Sequence, residues 1–202
     1  MNLINTIRSL RSTRKYSKKQ VQFETIADIL DIARFTHSSD NIQNWKFIII
    51  KDSETKKHII QECPDQDWML TAPVLIAVCC EKNEAKKNYG AMGDLIATQN
   101  CSIITNNIML IAKDLGLGTC WVGKFNQSII AQLLNIPSDV ELQAILTLGY
   151  PEATKFEFKT PKRLEVTKML YLEKYGSTDI NTSLWPLIKY KDKIKKFLKT
   201  KK

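Results

Sequence analysis

The chain has 202 residues, of which 44% are hydrophobic and 25% are charged, and its formal net charge is +9. A chain of this length and composition fits one compact globular domain with a substantial core, since such chains bury about 70% of their unfolded surface. The longest unbroken apolar run, Val74 to Cys80, is far shorter than the roughly 20 residues that cross a bilayer. No transmembrane segment is therefore predicted.

The positive charge is concentrated at the carboxy-terminal end. Residues 189–202 carry eight lysines against one aspartate, so this segment contributes +7 and the rest of the chain only +2. Basicity is therefore a property of the tail, and we expect no nucleic-acid partner.

The cysteines and the amino terminus indicate the compartment. The five cysteines form no C-x-x-C pair, which predicts free thiols in a reducing compartment. The two histidines, His37 and His58, are isolated from every cysteine, so no metal site is predicted. The apolar run at the amino terminus is too short for a secretory signal and its charges lie on the wrong side. We therefore expect a cytoplasmic protein.

Hydrophobic spacing predicts helices and strands mixed along the first half of the chain. In chain order these are a helix over about 2–10, a helix whose apolar stripe runs from Phe23 to Ala33, a strand at 47–50, a helix over about 54–61 after the cap candidate Ser53, and a strand from Pro73 through Cys80.

The second half begins with the longest predicted element, a central helix over about Ala91 to Leu115, which Gly116 is expected to end. Its apolar residues recur at helical spacing: Met92, Leu95, Ile96, Ile103, Ile108, Ile111 and Leu115. A strand at 119–122, a helix capped by Asn126 and a strand at 142–148 follow. The elements predict one domain over residues 1–175 and a basic extension over 176–202.

Four clusters could carry chemistry. Arg11 to Arg14 combines guanidinium groups, which offer planar paired donors to phosphate, with a serine hydroxyl. His37 to Trp45 gathers donors and acceptors that could bind a flat heterocycle. Gly116 to Gly123 brackets a short strand with glycines that let a backbone approach a ligand, but it lacks the dinucleotide and P-loop fingerprints, which disfavours a Rossmann domain. Lys162 and Arg163 follow Pro161.

Each cluster alone has a simpler interpretation. The two basic clusters could be solvated surface charges, the polar loop could satisfy its own turns, and the glycines could serve only tight turns. Three aromatic or sulfur-containing residues, Trp68, Met69 and Tyr89, are candidates for covering a bound ring, but such residues are more often core or interface residues.

In their order and spacing the clusters resemble the motifs of the nitroreductase family of FMN-dependent oxidoreductases, over about residues 5–175. The pattern R-R-S-x-R-x-(F/Y) is matched by Leu10 to Tyr16, and S-S-x-N-x-Q-P-W by Ser38 to Trp45. The pattern G-L-G-T/S-C-W-I/L-G is matched almost fully by Gly116 to Gly123, with Val122 in the place of isoleucine or leucine. Leu148 to Pro151, followed by the Lys162-Arg163 pair, resembles the closing signature.

The resemblance implies an α+β fold with a mixed central sheet flanked by helices, and a homodimer with FMN between its subunits. It implies hydride transfer from NAD(P)H through FMN to a small oxidised acceptor such as a nitroaromatic or a quinone. The alternative is a non-catalytic flavin-binding or interaction protein that acts through its basic tail.

The resemblance also implies roles for individual residues, with no metal among the ligands. The expected FMN contacts are Arg11 and Ser12 near the phosphate or ribityl group, Arg14 near the ring as the catalytic cation, Ser38, Ser39 and Asn41 along the flavin, the backbone of Val122, Gly123 and Lys124 near N5, and Lys162 and Arg163 at the phosphate.

The chain departs from the family patterns at a few positions. Leu10 stands where an arginine is usual, His37 and Asn44 replace residues that are commonly proline, and Lys124 occupies a place often held by glycine. The changes in the second motif could alter the backbone of its loop and the contacts that the loop makes with the ring.

The extension carries an apolar stripe with lysines on its other side. The stripe consists of Leu184, Leu187, Ile188, Ile194, Phe197 and Leu198. This pattern predicts an amphipathic basic helix over about Leu184 to Lys199. Such a helix could pack on the partner subunit or lie on an anionic surface. We favour packing, because Trp185 to Leu187 is typical of an anchor.

Overall fold

The computed structural model describes residues 2–152 and 161–177. The chain divides into two compact units, Met1–Thr154 and Lys155–Lys202. The first unit contains every helix longer than one turn and every strand that the structure describes. The predicted helix over residues 184–199 lies outside the described residues, so it stays a prediction.

The first unit alternates helices and strands. The helices are α1 (Leu3–Ser9), α2 (Phe23–Ala33), α3 (Ser53–Gln61), α4 (Asn83–Tyr89), α5 (Gly93–Asp114) and α6 (Gln127–Leu133). The strands are β1 (Trp45–Ile50), β2 (Val74–Glu81), β3 (Gly118–Val122) and β4 (Val140–Gly149). These bounds confirm the predicted elements to within a few residues.

Two local features differ from the prediction. Helix α4 was not predicted, because its sequence is polar except for Ala85, which is its one buried residue and forms no stripe. The residue that caps α3 is Asp52 rather than Ser53, since a carboxylate oxygen of Asp52 accepts a 2.8 Å hydrogen bond from the backbone N–H of Thr55.

The four strands form one sheet in the order β1-β2-β4-β3, and all three pairings are antiparallel. The α+β class is thus confirmed. In the described part of the chain, the mixed character of the sheet is limited to an isolated parallel bridge between Ser12 and Thr119. The segment after α1 runs beside β3 too briefly to build a ladder, and the N–H of Thr13 bonds the carbonyl of Thr119 at 2.8 Å.

Both faces of the sheet are covered, which explains why β2 is apolar from Val74 to Cys80. On one face, α2 and α5 contribute Ile29, Ile104 and Ile108 to a core with alternate residues of β2 and β4. On the other face, α3, α6 and the single turn Asp67–Thr71 contribute Ile59, Ile130 and Met69. The core is therefore split into two layers by the sheet.

Helix α5 is apolar around most of its circumference. Its buried face consists mainly of small and β-branched residues, among them Ala97, Cys101 and Ile104, which allow a close approach to the sheet. The predicted stripe is divided, because Ile108 is buried whereas Leu95 and Ile103 are 49% and 47% exposed. Because Leu95 and Ile103 lie on the exposed side of α5, part of its apolar surface lacks a cover in the single chain.

Helices α4 and α5 together, Asn83–Asp114, are long and apolar enough to cross a membrane by length and composition. The core helix of a globular protein passes the same test, and 44% of this apolar stretch is buried inside the protein. Its packing against the sheet identifies α5 as a core helix.

The outer side of α5 is continued by its neighbours α1 and α2, both of which pack against it. Several large apolar residues on these helices are exposed. They are Leu3, Ile4 and Ile7 of α1, Phe23 and Ile32 of α2 with Phe35 beyond it, and Leu95 and Ile103 of α5. We call these eight residues the helical face.

Candidate functional site

The first predicted cluster lies against the third. After α1 the chain is extended, and Ser12 forms a bridge with Thr119 on the outer edge of β3. The backbone N–H of Thr13 donates a 2.8 Å hydrogen bond to the carbonyl of Thr119. Two motifs that are far apart in the sequence therefore share one edge of the sheet.

A buried tyrosine holds this segment in place. Tyr16 is 5% exposed, and its hydroxyl donates to the carbonyl of Thr13 at 2.7 Å and bonds the Thr147 hydroxyl at 2.5 Å. Thr147 in turn accepts a hydrogen bond from the backbone N–H of Cys120 at 3.1 Å. Burial raises the pKa of Tyr16 far above its ordinary value, so the phenol stays a neutral donor.

Arg14 is exposed beside this anchor. Its guanidinium carbon lies 5.7 Å from the centre of the Trp68 ring, and no carboxylate among the described residues is within 4 Å of it. Neighbouring cations are paired, since Lys15 Nζ lies 2.6 Å from Glu152 and Lys124 Nζ lies 3.7 Å from Asp65. The charge of Arg14 is thus available to an anion or to an electron-rich ring.

Arg11 and Ser12 face different neighbours. One guanidinium nitrogen of Arg11 donates to the carbonyls of Arg8 and Leu10, at 2.8 and 2.7 Å. Burial raises the pKa of the Cys120 thiol, while a hydrogen bond from the Ser12 side chain acts against that rise. Ser12 itself is exposed, so its hydroxyl is also accessible from solvent.

The loop after β3 is open. Val122 is buried, whereas Gly123 and Lys124 are exposed. A Cβ built on Gly123 would meet only the Trp121 indole within 4 Å, at 3.6 Å, so the backbone here has free space on its outer side. Lys124 points toward Asp65 and is 73% exposed, which places its amine in solvent.

The second cluster lies at the opposite edge of the sheet. Ser38, Ser39 and Asn41 precede β1, which β2 and β4 separate from β3. Three strand spacings amount to about 14 Å. The two clusters also contact different parts of α5. Ser39 is bonded to Asn100, whereas Leu117, which leads into β3, is bonded to Ala112. Along the helix axis, Asn100 and Ala112 are roughly 18 Å apart. One chain therefore does not gather the two clusters into one cradle.

The loop of the second cluster has an unusual backbone. Asp40, Asn41 and Gln43 adopt left-handed conformations with φ of 48°, 57° and 50°. Asn and Asp tolerate this region better than other side chains do, which is why the loop is rich in them. Ser38 Oγ accepts a 3.1 Å hydrogen bond from the N–H of Gln43, which closes the loop on itself.

The three residues proposed to cover a bound ring lie in different parts of the fold. Met69 is completely buried and belongs to the core, which confirms the core interpretation for this residue. Trp68 lies with the first cluster, next to Arg14. Tyr89 lies with the second cluster, where a hydrogen bond with Asp40 raises the pKa of its phenol.

Lys162 and Arg163 are exposed residues of the second unit. Their predicted contact with a phosphate group stays a prediction.

Sequence reasoning missed Asn100, which is 2% exposed in the middle of α5. It accepts a hydrogen bond from the backbone of Ser39 at 3.1 Å. A signal for it exists, because Asn100 follows Ala97 and precedes Ile104 at helical spacing and thus is a polar residue on the apolar, buried face.

The amino-acid sequence is similar to those of known proteins. The sequence profile of the Nitroreductase family matches residues 7–66 and 58–150. A provisionally named NADH dehydrogenase/NAD(P)H nitroreductase of Archaeoglobus fulgidus is 30% identical over 164 residues, which cover 79% of this chain and 91% of that protein. An FMN reductase [NAD(P)H] of Bacillus subtilis is 28% identical over 163 residues, which cover 74% and 66%.

The fold is also similar to that of solved structures. The solved structure of the hypothetical oxidoreductase YcnD from Bacillus subtilis superposes with a TM-score of 0.78 at 27% identity, over 91% of this chain and 78% of that one. The family profile spans more than half of the chain and covers the first three clusters. The chain therefore belongs to the Nitroreductase family.

Proposed function

We propose that this protein is a homodimeric, FMN-dependent oxidoreductase that passes hydride from NAD(P)H to a small oxidised acceptor, such as a nitroaromatic or a quinone. The observation that carries the proposal is the juxtaposition of Arg11 to Arg14 with the glycine-bracketed strand β3. Membership of the Nitroreductase family and the similarity to an FMN reductase support a flavin as the cofactor.

The residues at this edge suit FMN. Arg14 has no acidic partner in the described part of the chain, and Arg11 uses one of its guanidinium nitrogens for local carbonyls, which leaves further N–H groups for an anion. The buried hydroxyl of Thr119, beside Ser12, has no hydrogen-bond partner among the described residues. Buried polar atoms are normally satisfied, so an unsatisfied one here supports a bound group at this edge.

A second copy of the chain would complete the site. The polar loop with Ser38, Ser39 and Asn41 lies at the far edge of the same sheet, and the helical face is apolar and exposed. In a two-fold dimer both subunits use the same surface, and a contact between one part of it and another part on the partner occurs twice, so the loop of one subunit can approach the arginine cluster of the other. Burial of the helical face would stabilise this arrangement, because obligate dimers have apolar interfaces.

Bound FMN would supply the two-electron chemistry, accepting hydride from NAD(P)H and delivering it to the acceptor. The guanidinium of Arg14 would stabilise negative charge that develops near the ring, in a fixed orientation that costs no reorganisation. Trp68, in contact with Arg14, would provide an apolar wall for a planar molecule. The reaction would require no nucleophilic side chain. We expect ping-pong kinetics, because NAD(P)H and the acceptor would use the same site in turn.

Absorption spectroscopy of the purified protein with FMN tests the proposal. We expect about one FMN per chain and bleaching of the flavin bands by NADH or NADPH. Arg14→Ala should lower turnover by about 10²-fold, the size of effect seen when one transition-state donor is removed. The control is Lys57→Ala, which removes an exposed cation that pairs with Glu54 on α3.

Two outcomes contradict the proposal. Equal flavin content and turnover in Arg14→Ala and Lys57→Ala would remove the arginine cluster from the site. A bound flavin that neither NADH nor NADPH bleaches would support the non-catalytic alternative.

The five free, buried thiols suit a reducing compartment, and we propose the cytoplasm as the location.

A further inference from the structure

A chain of hydrogen bonds leads from the second cluster into the core. The backbone N–H of Ser39 donates to Asn100 Oδ1 at 3.1 Å, and Asn100 Nδ2 donates to Asn44 Oδ1 at 2.9 Å. Asn44 Nδ2 then donates to the carbonyl of Ala97 at 3.2 Å and lies 3.2 Å from Cys80 Sγ. The loop, helix α5 and strand β2 are thus joined through two side-chain amides.

Both amides are almost completely buried, with Asn44 3% and Asn100 2% exposed. Burying an amide is unfavourable unless its donors and acceptors are satisfied. Here each oxygen accepts and each nitrogen donates, and turning either amide would set a donor against a donor. The pair therefore has a single orientation, and Asn44 determines which atom Asn100 presents to Ser39.

The loop needs such an external support. Three of its residues have positive φ, a conformation that persists only when surrounding structure holds it. Its other backbone hydrogen bonds are internal, since Asn41 and Ile42 donate to the carbonyls of Ser38 and Ser39. Among the described residues, the hydrogen bond to Asn100 is the one that ties the backbone of residues 38–43 to α5.

Asn44 is the residue of this hydrogen-bond chain that departs from the family pattern. Asn44 stands at a position that is commonly proline, and proline has no side-chain amide. The carbonyl of residue 44, which accepts from the N–H of Glu81 at 2.8 Å, would remain in either case. It is therefore the side chain of Asn44, and not its backbone, that orients Asn100.

We infer that Asn100, oriented by Asn44, is a positioning residue that holds the Ser39 loop in the conformation that receives FMN. The inference rests on the proposed function, because it needs a flavin beside Ser38, Ser39 and Asn41. Both asparagines are almost completely buried, so we assign them an indirect role. They act by keeping the backbone of the loop preorganised, which lowers the cost of binding.

The test compares Asn100→Leu with Thr105→Val in the full-length protein. Both changes remove a buried hydrogen-bonding group from α5. Among the described residues, however, the Thr105 hydroxyl bonds only the carbonyl of Cys101 on the same helix, at 2.6 Å. We measure the FMN dissociation constant by fluorescence quenching, the visible circular dichroism of bound FMN, and the melting temperature of the apoprotein. Asn100→Leu should raise the dissociation constant about tenfold and alter the dichroism. Thr105→Val should lower only the melting temperature.

Asn44→Ala provides a second variant if Asn100→Leu does not fold. It should weaken FMN binding as well, and the double variant should bind FMN no more weakly than Asn100→Leu alone, because the two residues act as one unit. Equal FMN affinity and dichroism in Asn100→Leu and Thr105→Val would overturn the inference, as would strictly additive losses in the double variant. A wild-type protein that binds no FMN would reject the proposed function and this inference with it.

Discussion

Gly118 lies directly against the side chain of Thr13. A Cβ added to Gly118 would fall 2.8 Å from both Cβ and Cγ2 of Thr13, which is closer than side chains pack. The segment that carries Arg11, Ser12 and Arg14 therefore reaches β3 only because this position is glycine. The contact links the first and third motifs by shape, in addition to the backbone hydrogen bond from Thr13 to Thr119.

We predict that Gly118→Ala displaces the arginine segment and weakens both folding and FMN binding. Overpacking of this kind costs about 1–3 kcal/mol of unfolding free energy, since one side must move. Thermal unfolding monitored by circular dichroism and titration with FMN measure the two effects.

Gly123→Ala is the matched comparison, because its new Cβ has only the Trp121 indole nearby, at 3.6 Å. This variant should melt like the wild type and still bind FMN less well, since the methyl group would stand where the backbone approaches the ring. Equal melting temperatures for Gly118→Ala and Gly123→Ala would contradict the steric argument.

The phosphate contacts predict a difference between two ligands. Lys162→Ala combined with Arg163→Ala should weaken FMN about tenfold or more and leave riboflavin affinity nearly unchanged, because only FMN carries the phosphate that these cations would neutralise. Fluorescence titration with each ligand gives the ratio. Lys168→Ala, an exposed cation in the same unit, serves as the control. Equal losses for FMN and riboflavin would make the pair ordinary surface residues.

The helical face predicts the oligomeric state. We expect sedimentation of the wild type at twice the chain mass of 23.2 kDa. Ile103→Glu should dissociate the dimer and release FMN, because a carboxylate cannot be buried there without a partner. The control Gln132→Glu adds the same charge on α6, far from the helical face. A wild-type monomer at micromolar concentration would contradict the dimer.

The buried thiols predict a loss of stability in alkaline solution. Burial raises the pKa of Cys63 and of Cys79 from 9.0 to about 11. Between pH 9 and pH 11 the unfolded chain loses these protons while the folded chain keeps them, so the unfolded state binds fewer protons and stability falls as the pH rises. Melting temperatures across this range should fall less steeply for the variant Cys63→Ala with Cys79→Ala. Parallel curves for variant and wild type would refute the assignment.

The sequence by itself determined the order of the predicted helices and strands. It also identified three motifs, at residues 11–14, 37–45 and 116–123. The apolar runs of β2 and β4, the periodicity of α5 and the paired glycines around β3 are local signals, because each depends on residues a few positions apart. The prediction failed where the local signal was weak, as in the polar helix α4, where Ala85 alone is buried.

Only the tertiary structure decided which motifs meet. It brings Arg14 and β3 together and leaves Ser39 at the opposite edge of the sheet, since strand order depends on pairing between distant segments. It also decided which side of α5 is buried. Apolar residues occur on several sides of α5, so its sequence alone does not define the inner face. The small residues Ala97 and Cys101 permit the closest approach to the sheet. Leu95 and Ile103 remain outside for that reason.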